Sequence, residues 1–193
     1  ATRISALAAA QIRGLTTTAL ADLSATQAAA LTSTQIGWLA TSTVAGLGET
    51  RIAALTATQI AGLATTQLTA LATTAVAALS ETSIAALTTT QLRSLTSTSV
   101  GALTTSQVAA LSETQLAALT PTQMKGFGEE ALTSLAGTRL AALTATEIGG
   151  LSGTQLAWLG EAQIAALTTT QARGLGATAL AALADTQVAA LTA

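Results

Sequence analysis

The 193-residue chain has no cysteine, no histidine and no tyrosine. Those absences exclude disulfides, zinc and iron–sulfur ligation, thiol chemistry and any Ser-His or Cys-His nucleophile. One Phe and two Trp cannot build an aromatic core, and the apolar half of the composition is mostly Ala and Leu. Charge is also scarce: seven basic and nine acidic residues leave a net charge of -2, with Lys125 the sole lysine. Phosphate neutralisation needs a density of Lys and Arg that this chain lacks, so nucleic acid is not an expected partner. Thr, Ser or Gln interrupts every apolar run well short of the roughly 20 residues a membrane-spanning helix requires. The carboxylates are dispersed, and the one adjacent pair, Glu129-Glu130, suits a solvated turn. No catalytic residue, metal ligand or cofactor-binding motif is predicted. The chain opens at Ala1-Thr2-Arg3 without an initiator Met, which predicts a processed product or an internal fragment.

What is present is an eight-residue repeat. A large apolar residue recurs at every eighth position from Leu7 to Leu191, and only Phe127 departs from Leu. A second apolar column runs from Ile4 through Ile12, Leu20 and Ile36 to Val188, failing only at Ala28 and Ala172. Residues 111 to 118, Leu-Ser-Glu-Thr-Gln-Leu-Ala-Ala, illustrate the unit. No octad is longer or shorter than eight, so residues 1–193 are expected to form a single repeat domain of about 24 octads without an internal boundary.

The spacing decides the local structure. The two apolar columns are separated alternately by three and five residues. On one continuous helix each octad would rotate its apolar pair by about 80°, winding the stripe around the axis. On a strand, separations of three and five both switch faces. One short helix per octad, broken and restarted each time, resolves both conflicts. The restart signal is a hydroxyl followed three residues later by Gln, the capping-box arrangement, at Thr32/Gln35, Thr56/Gln59, Thr88/Gln91 and Ser112/Gln115. Pro121 follows Thr120 at the first helical position, where its missing N–H costs nothing. Glu49, Glu81, Glu113, Glu129, Glu161 and Asp185 share that column, as a positive helix terminus favours. Gly14, Gly46, Gly62, Gly126, Gly150 and Gly174 stand just before the repeating Leu or Phe, where positive φ is expected to end a helix.

Helices this short are unstable alone, so stacking must supply their stability. The expected fold is an all-α solenoid of very short helices, one per octapeptide, with two or three octads per turn. Its core is expected at Leu7, Leu31, Ile36, Ile60, Leu103, Val108, Leu111, Phe127 and Leu159. Small residues in the two columns before the Leu allow helices to approach closely.

Function is read from the surface and the ends. The octad phase has no polar capping repeat at either end, which predicts end-to-end continuation into a homo-polymer, or lateral packing of coils. Trp38 and Trp158 share one octad column and are candidate contact residues, for a neighbouring coil or for a glycan. Thr-x-Thr pairs such as Thr32/Thr34, Thr56/Thr58 and Thr88/Thr90 raise a second reading, a regular hydroxyl face that contacts ice or glycan. That reading requires the second Thr of each pair to be exposed and free of internal hydrogen bonds.

The octapeptides Leu-Thr-Thr-Thr-Gln-Leu at 87 to 92 and Leu-Ser-Glu-Thr-Gln-Leu-Ala-Ala-Leu at 111 to 119 resemble the Thr/Gln/Ala-rich tracts of large bacterial secreted or cell-surface, adhesin-like proteins. The resemblance covers the whole chain. It implies an extracellular or bacterial cell-surface location and a structural, non-enzymatic role in a filament or stalk, and it carries over no catalytic residue.

Overall fold

A computed structural model describes residues 2–135 and 137–191. Among them are 24 α-helices of four to six residues, one per octad, from Thr2–Ser5 to Asp185–Ala190. The octad supplies both the helix and its break. A hydroxyl or small residue at the N-cap is extended, as at Thr56 with φ -68° and ψ 157°. Four or more helical residues follow, and the repeating Leu turns extended again, as at Leu111 with φ -64° and ψ 134°. Each helix closes with a tight bond from the Leu amide to the carbonyl of the second apolar column, for example Leu63 N to Ile60 O at 3.0 Å. The chain therefore reverses on two adjacent extended residues per octad.

This overturns the role expected for the glycines. No described residue has positive φ, and Gly46, Gly62 and Gly150 lie in the right-handed region at φ -80°, -81° and -79°. The left-handed conformation is unnecessary because the extended pair already reverses the chain. Glycine instead permits contact: a Cβ on Gly62 would lie 2.3 Å from Ser33 O, and one on Gly174 would lie 2.4 Å from Ala145 O.

The helices are organised in two compact units, Ala1–Leu95 and Thr96–Ala193. Each is an all-α solenoid. In the first unit helices pack on the third one along, as Ser33–Trp38 on Ala57–Ala61 and Thr65–Thr69 on Thr89–Ser94. In the second unit Ser97–Gly101 packs on Pro121–Met124 in the same way, and Ala145–Gly149 on Thr169–Gly174. Side-chain ties between coils span 28 and 31 residues, so that a coil closes between three and four octads. Of the two values the spacing allowed, three is the nearer.

The core is the pair of apolar columns. Ile12, Ile52, Ile60, Leu92, Leu116 and Leu156 are fully buried in the second column, and Leu63, Leu87, Leu119 and Leu143 are buried in the first. Burying each such side chain contributes about 1.5–3 kcal/mol.

Three glycine N-caps among the described residues, Gly48, Gly128 and Gly176, offer no side-chain acceptor even though the site is open. Gly128 has φ -78° and ψ 172°, and a Cβ there meets nothing within 4 Å. Serine at this position would accept from the Ala131 amide and restrict the unfolded chain. Gly128→Ser is expected to stabilise the second unit by about 0.5–1 kcal/mol. A raised urea midpoint with unchanged slope is the expected reading; an unchanged midpoint would show that the cap contributes nothing here.

Candidate functional site

The most regular polar feature is built by the Gln column. In the octad beginning at Leu55, Thr56 Oγ1 accepts the Gln59 amide at 3.2 Å, and Gln59 Oε1 accepts the Thr56 amide at 3.0 Å. Thr32 and Gln35 bond reciprocally at 3.0 and 3.2 Å, as do Thr88 and Gln91 at 2.9 and 3.2 Å. Ser112 and Gln115 do so at 2.8 and 3.2 Å, and Thr120 and Gln123 at 2.9 and 3.2 Å, with Pro121 opening the latter helix.

The other end of the Gln side chain reaches much further. Gln59 Nε2 donates to Ala28 O and Leu31 O, both at 2.8 Å. Gln67 Nε2 donates to Ile36 O and Leu39 O at 3.1 and 2.7 Å, and Gln155 Nε2 to Met124 O and Phe127 O at 2.9 Å each. One buried amide thus caps its own helix and clamps two carbonyls at the C-terminal end of the fourth helix back. Of each pair, the second-column carbonyl also accepts the amide three residues on, as Ala28 O accepts Leu31 N at 3.2 Å. The Leu or Phe carbonyl follows the helix and takes its bond from the clamp. Donation persists at three positions where the column carries another residue. Thr43 Oγ1 bonds Leu15 O at 3.0 Å, Arg51 Nη1 bonds Leu23 O at 2.9 Å, and Arg139 Nη2 bonds Val108 O and Leu111 O at 2.9 and 2.6 Å. At Glu147, which is buried, Oε2 accepts the Thr144 amide at 2.6 Å. Sequence reasoning found the cap and missed the clamp.

The remaining residues singled out from the sequence fall as follows. Leu31, Ile36, Ile60, Leu103, Val108, Leu111, Phe127 and Leu159 are buried, whereas Leu7 is half-buried. Trp38 and Trp158 end the helices Ser33–Trp38 and Gly153–Trp158, one in each unit, and both are half-buried.

The outer surface carries hydroxyls and few charges. The described threonines that precede the Gln column, among them Thr34, Thr58, Thr90 and Thr154, are exposed. Within that column only the Thr82 hydroxyl has a hydrogen bond among the described residues, to Ser80 Oγ at 2.9 Å. Threonines along one side of a coil come from helices three octads apart, as Thr34 and Thr58 do. The acidic residues Glu49, Glu81, Glu113, Glu129, Glu161 and Asp185 are exposed in first turns. Among the described residues no three His, Cys, Asp or Glu side chains gather to hold a metal ion. No described helix is long and apolar enough to cross a membrane.

No curated protein and no solved structure matches the chain. The ALTTAQ repeat matches it over residues 4–41, 76–113 and 84–121. Each match opens in the second apolar column, at Ile4, Val76 and Ile84, in phase with the octad whose clamp and cap are described above. Over these segments the chain carries a region of repeats similar to the ALTTAQ repeat.

Proposed function

We propose that the chain is a non-enzymatic structural repeat whose coils continue by stacking end to end, in an extracellular filament or a stalk on a bacterial surface. The observation that carries this reading is the direction of the clamp. Gln35, Gln59, Gln67, Gln91, Gln155, Gln163, Gln171 and Gln187 all donate backward along the coil, to helix-end carbonyls 28 to 31 residues upstream. In the first coil, Gln11 and Gln27 are exposed; their Oε1 atoms accept the Ala8 and Ser24 amides at 2.9 Å, and their Nε2 atoms have no acceptor among the described residues. In the last coil, the carbonyls of Leu180 and Leu183 receive no side-chain donor among the described residues, and Leu180 and Val188 are 40% and 45% exposed. Elsewhere their column is buried except at Ile4, Ala28 and Ala172, which are half-buried. Donors on one face and acceptors with apolar groups on the other form a head-to-tail contact that does not close on itself. Further octads of the same pattern, from a second copy or from adjoining chain, satisfy both faces.

The octad phase runs unbroken through Leu95 and Thr96, which supports reading the two units as one repeat array. The extracellular assignment rests on the resemblance of residues 87 to 92 and 111 to 119 to surface-protein tracts.

Electron microscopy of the purified chain, beside its mass in solution, tests the proposal. Fibres with an axial spacing of about 8–10 Å, the distance of packed helices, are expected. Monodisperse single rods at micromolar concentration would overturn self-assembly. The exposed Thr column favours one second reading, a surface that orders water or contacts glycan. Thermal hysteresis in freezing solutions, or retention on a glycan column, by single rods would support it.

A further inference from the structure

The first unit holds a partly open apolar pocket of about 100 Å3, and the repeat explains its position. The second apolar column is Ile, Leu, Val or Met at every position except Ala28 and Ala172. Ile36 and Val44, in the same column, are buried and line the cavity; Ala28, half-buried, lines it too. A truncated core position is normally filled in part by collapse of its neighbours. Here the backbone is pinned: Gln59 Nε2 holds Ala28 O and Leu31 O at 2.8 Å, as Gln67 holds Ile36 O and Leu39 O in the next octad. The helix Ala25–Ala29 therefore keeps the register that a full-sized side chain would require, and the missing atoms remain as space.

One charged group borders that space. Arg51 occupies the clamp column in place of Gln, donating through Nη1 to Leu23 O at 2.9 Å and through Nη2 to Ala21 O. These carbonyls accept hydrogen bonds and carry no compensating charge. No carboxylate lines the cavity.

We propose that the cavity is a binding site for a small monocarboxylic acid with a short alkyl tail. The tail occupies the volume vacated at Ala28, and the carboxylate meets the Arg51 guanidinium. Apolar pockets with one convergent polar group are the usual sites for small ligands. A guanidinium adds a charge-assisted, directional partner for the acid group. The volume admits a few carbons and excludes a long acyl chain. The site lies within one unit and is independent of end-to-end stacking.

Hexanoate is the probe, titrated into the purified chain and followed by calorimetry and by chemical-shift changes of the Ala28, Val44 and Arg51 amides. Ala28→Leu and Arg51→Gln each install a residue common in their column, so both retain the fold, which circular dichroism checks. Saturable hexanoate binding is expected for the natural chain, at least about tenfold weaker in Ala28→Leu, where the tail has no space. Arg51→Gln is expected to weaken hexanoate by about tenfold or more while leaving benzene uptake unchanged. Absence of saturable hexanoate binding, or equal affinity in Ala28→Leu, would overturn the site. Equal hexanoate affinity in Arg51→Gln would overturn the carboxylate specificity. Fibre formation is read separately by microscopy, so failure of one proposal is distinguishable from failure of the other.

Discussion

Gln171→Leu is expected to lower the stability of its unit by about 3–5 kcal/mol, although the replacement is apolar and of similar length. Gln171 is buried, and its Oε1 accepts the Thr168 amide at 2.8 Å. Its Nε2 donates to Leu140 O at 2.8 Å and Leu143 O at 2.6 Å. Leucine removes all three bonds. It leaves the Thr168 N–H and the Leu143 carbonyl facing an apolar side chain, each costing about 1–3 kcal/mol when buried without a partner, and leaves Leu140 O with the Leu143 amide alone. Gained apolar burial offsets part of that loss. The chain carries its own control in Gln27, exposed and bonded through Oε1 to Ser24 alone, where the same substitution is expected to cost under about 1 kcal/mol. Repeat arrays open locally, so native-state hydrogen exchange of the Leu143 to Gly150 amides is the direct measurement. Equal protection in the two variants would refute the clamp as a source of stability.

Gly126→Ala is expected to cost about 2–4 kcal/mol, against a typical effect near zero for a surface methyl. A Cβ at Gly126 would lie 2.0 Å from Ser97 O and 2.8 Å from Ser97 C, both backbone atoms of the helix Ser97–Gly101. Backbone cannot rotate aside as a side chain can, so the two coils must separate. From the opposite side, a Cβ on Gly101 would meet Gly126 O at 2.4 Å. The same crossing recurs at Gly37 with Gly62 and at Gly149 with Gly174, where a Cβ on the first residue would lie 2.8 and 2.5 Å from the carbonyl of the second. Since both glycines of a pair serve one contact, Gly101→Ala and Gly126→Ala should be clearly non-additive in urea unfolding. Additive losses would mean that each acts on a separate site. Thr69 and Ser94 occupy the equivalent crossing in the first unit, where Thr69 Oγ1 donates to Ser94 O at 2.8 Å. A longer side chain is accommodated there by turning the contact into a hydrogen bond.

The fold class was legible because a period of eight fits neither a continuous helix nor a strand, and the hydroxyl columns mark where each helix restarts. Coil closure was not, because it depends on the angle set by two extended residues per octad, and alternation of apolar positions does not encode that angle. The second task of the Gln column was hidden for a different reason: its acceptors lie 28 and 31 residues upstream, beyond any local motif. A signal was nevertheless present. Capping boxes accept Glu as readily as Gln, yet the column holds many Gln and, at Glu147, one Glu. Arg51 and Arg139 sharpen the point, since Arg has no acceptor with which to cap and only donors with which to clamp. The glycines misled because a glycine before a helix break ordinarily signals reversed φ; their recurrence 25 residues apart, as at Gly37 and Gly62, was the trace of coil-to-coil contact.

The clamp has a consequence for inheritance. Its acceptors are main-chain carbonyls, which every octad possesses whatever its side chains, so a donor displaced by one whole octad meets an equivalent partner. A duplication or loss of eight codons preserves the bonding pattern, whereas a shift of any other size disturbs it. Chain length can therefore drift between generations through slippage within a repetitive gene, each intermediate length remaining foldable.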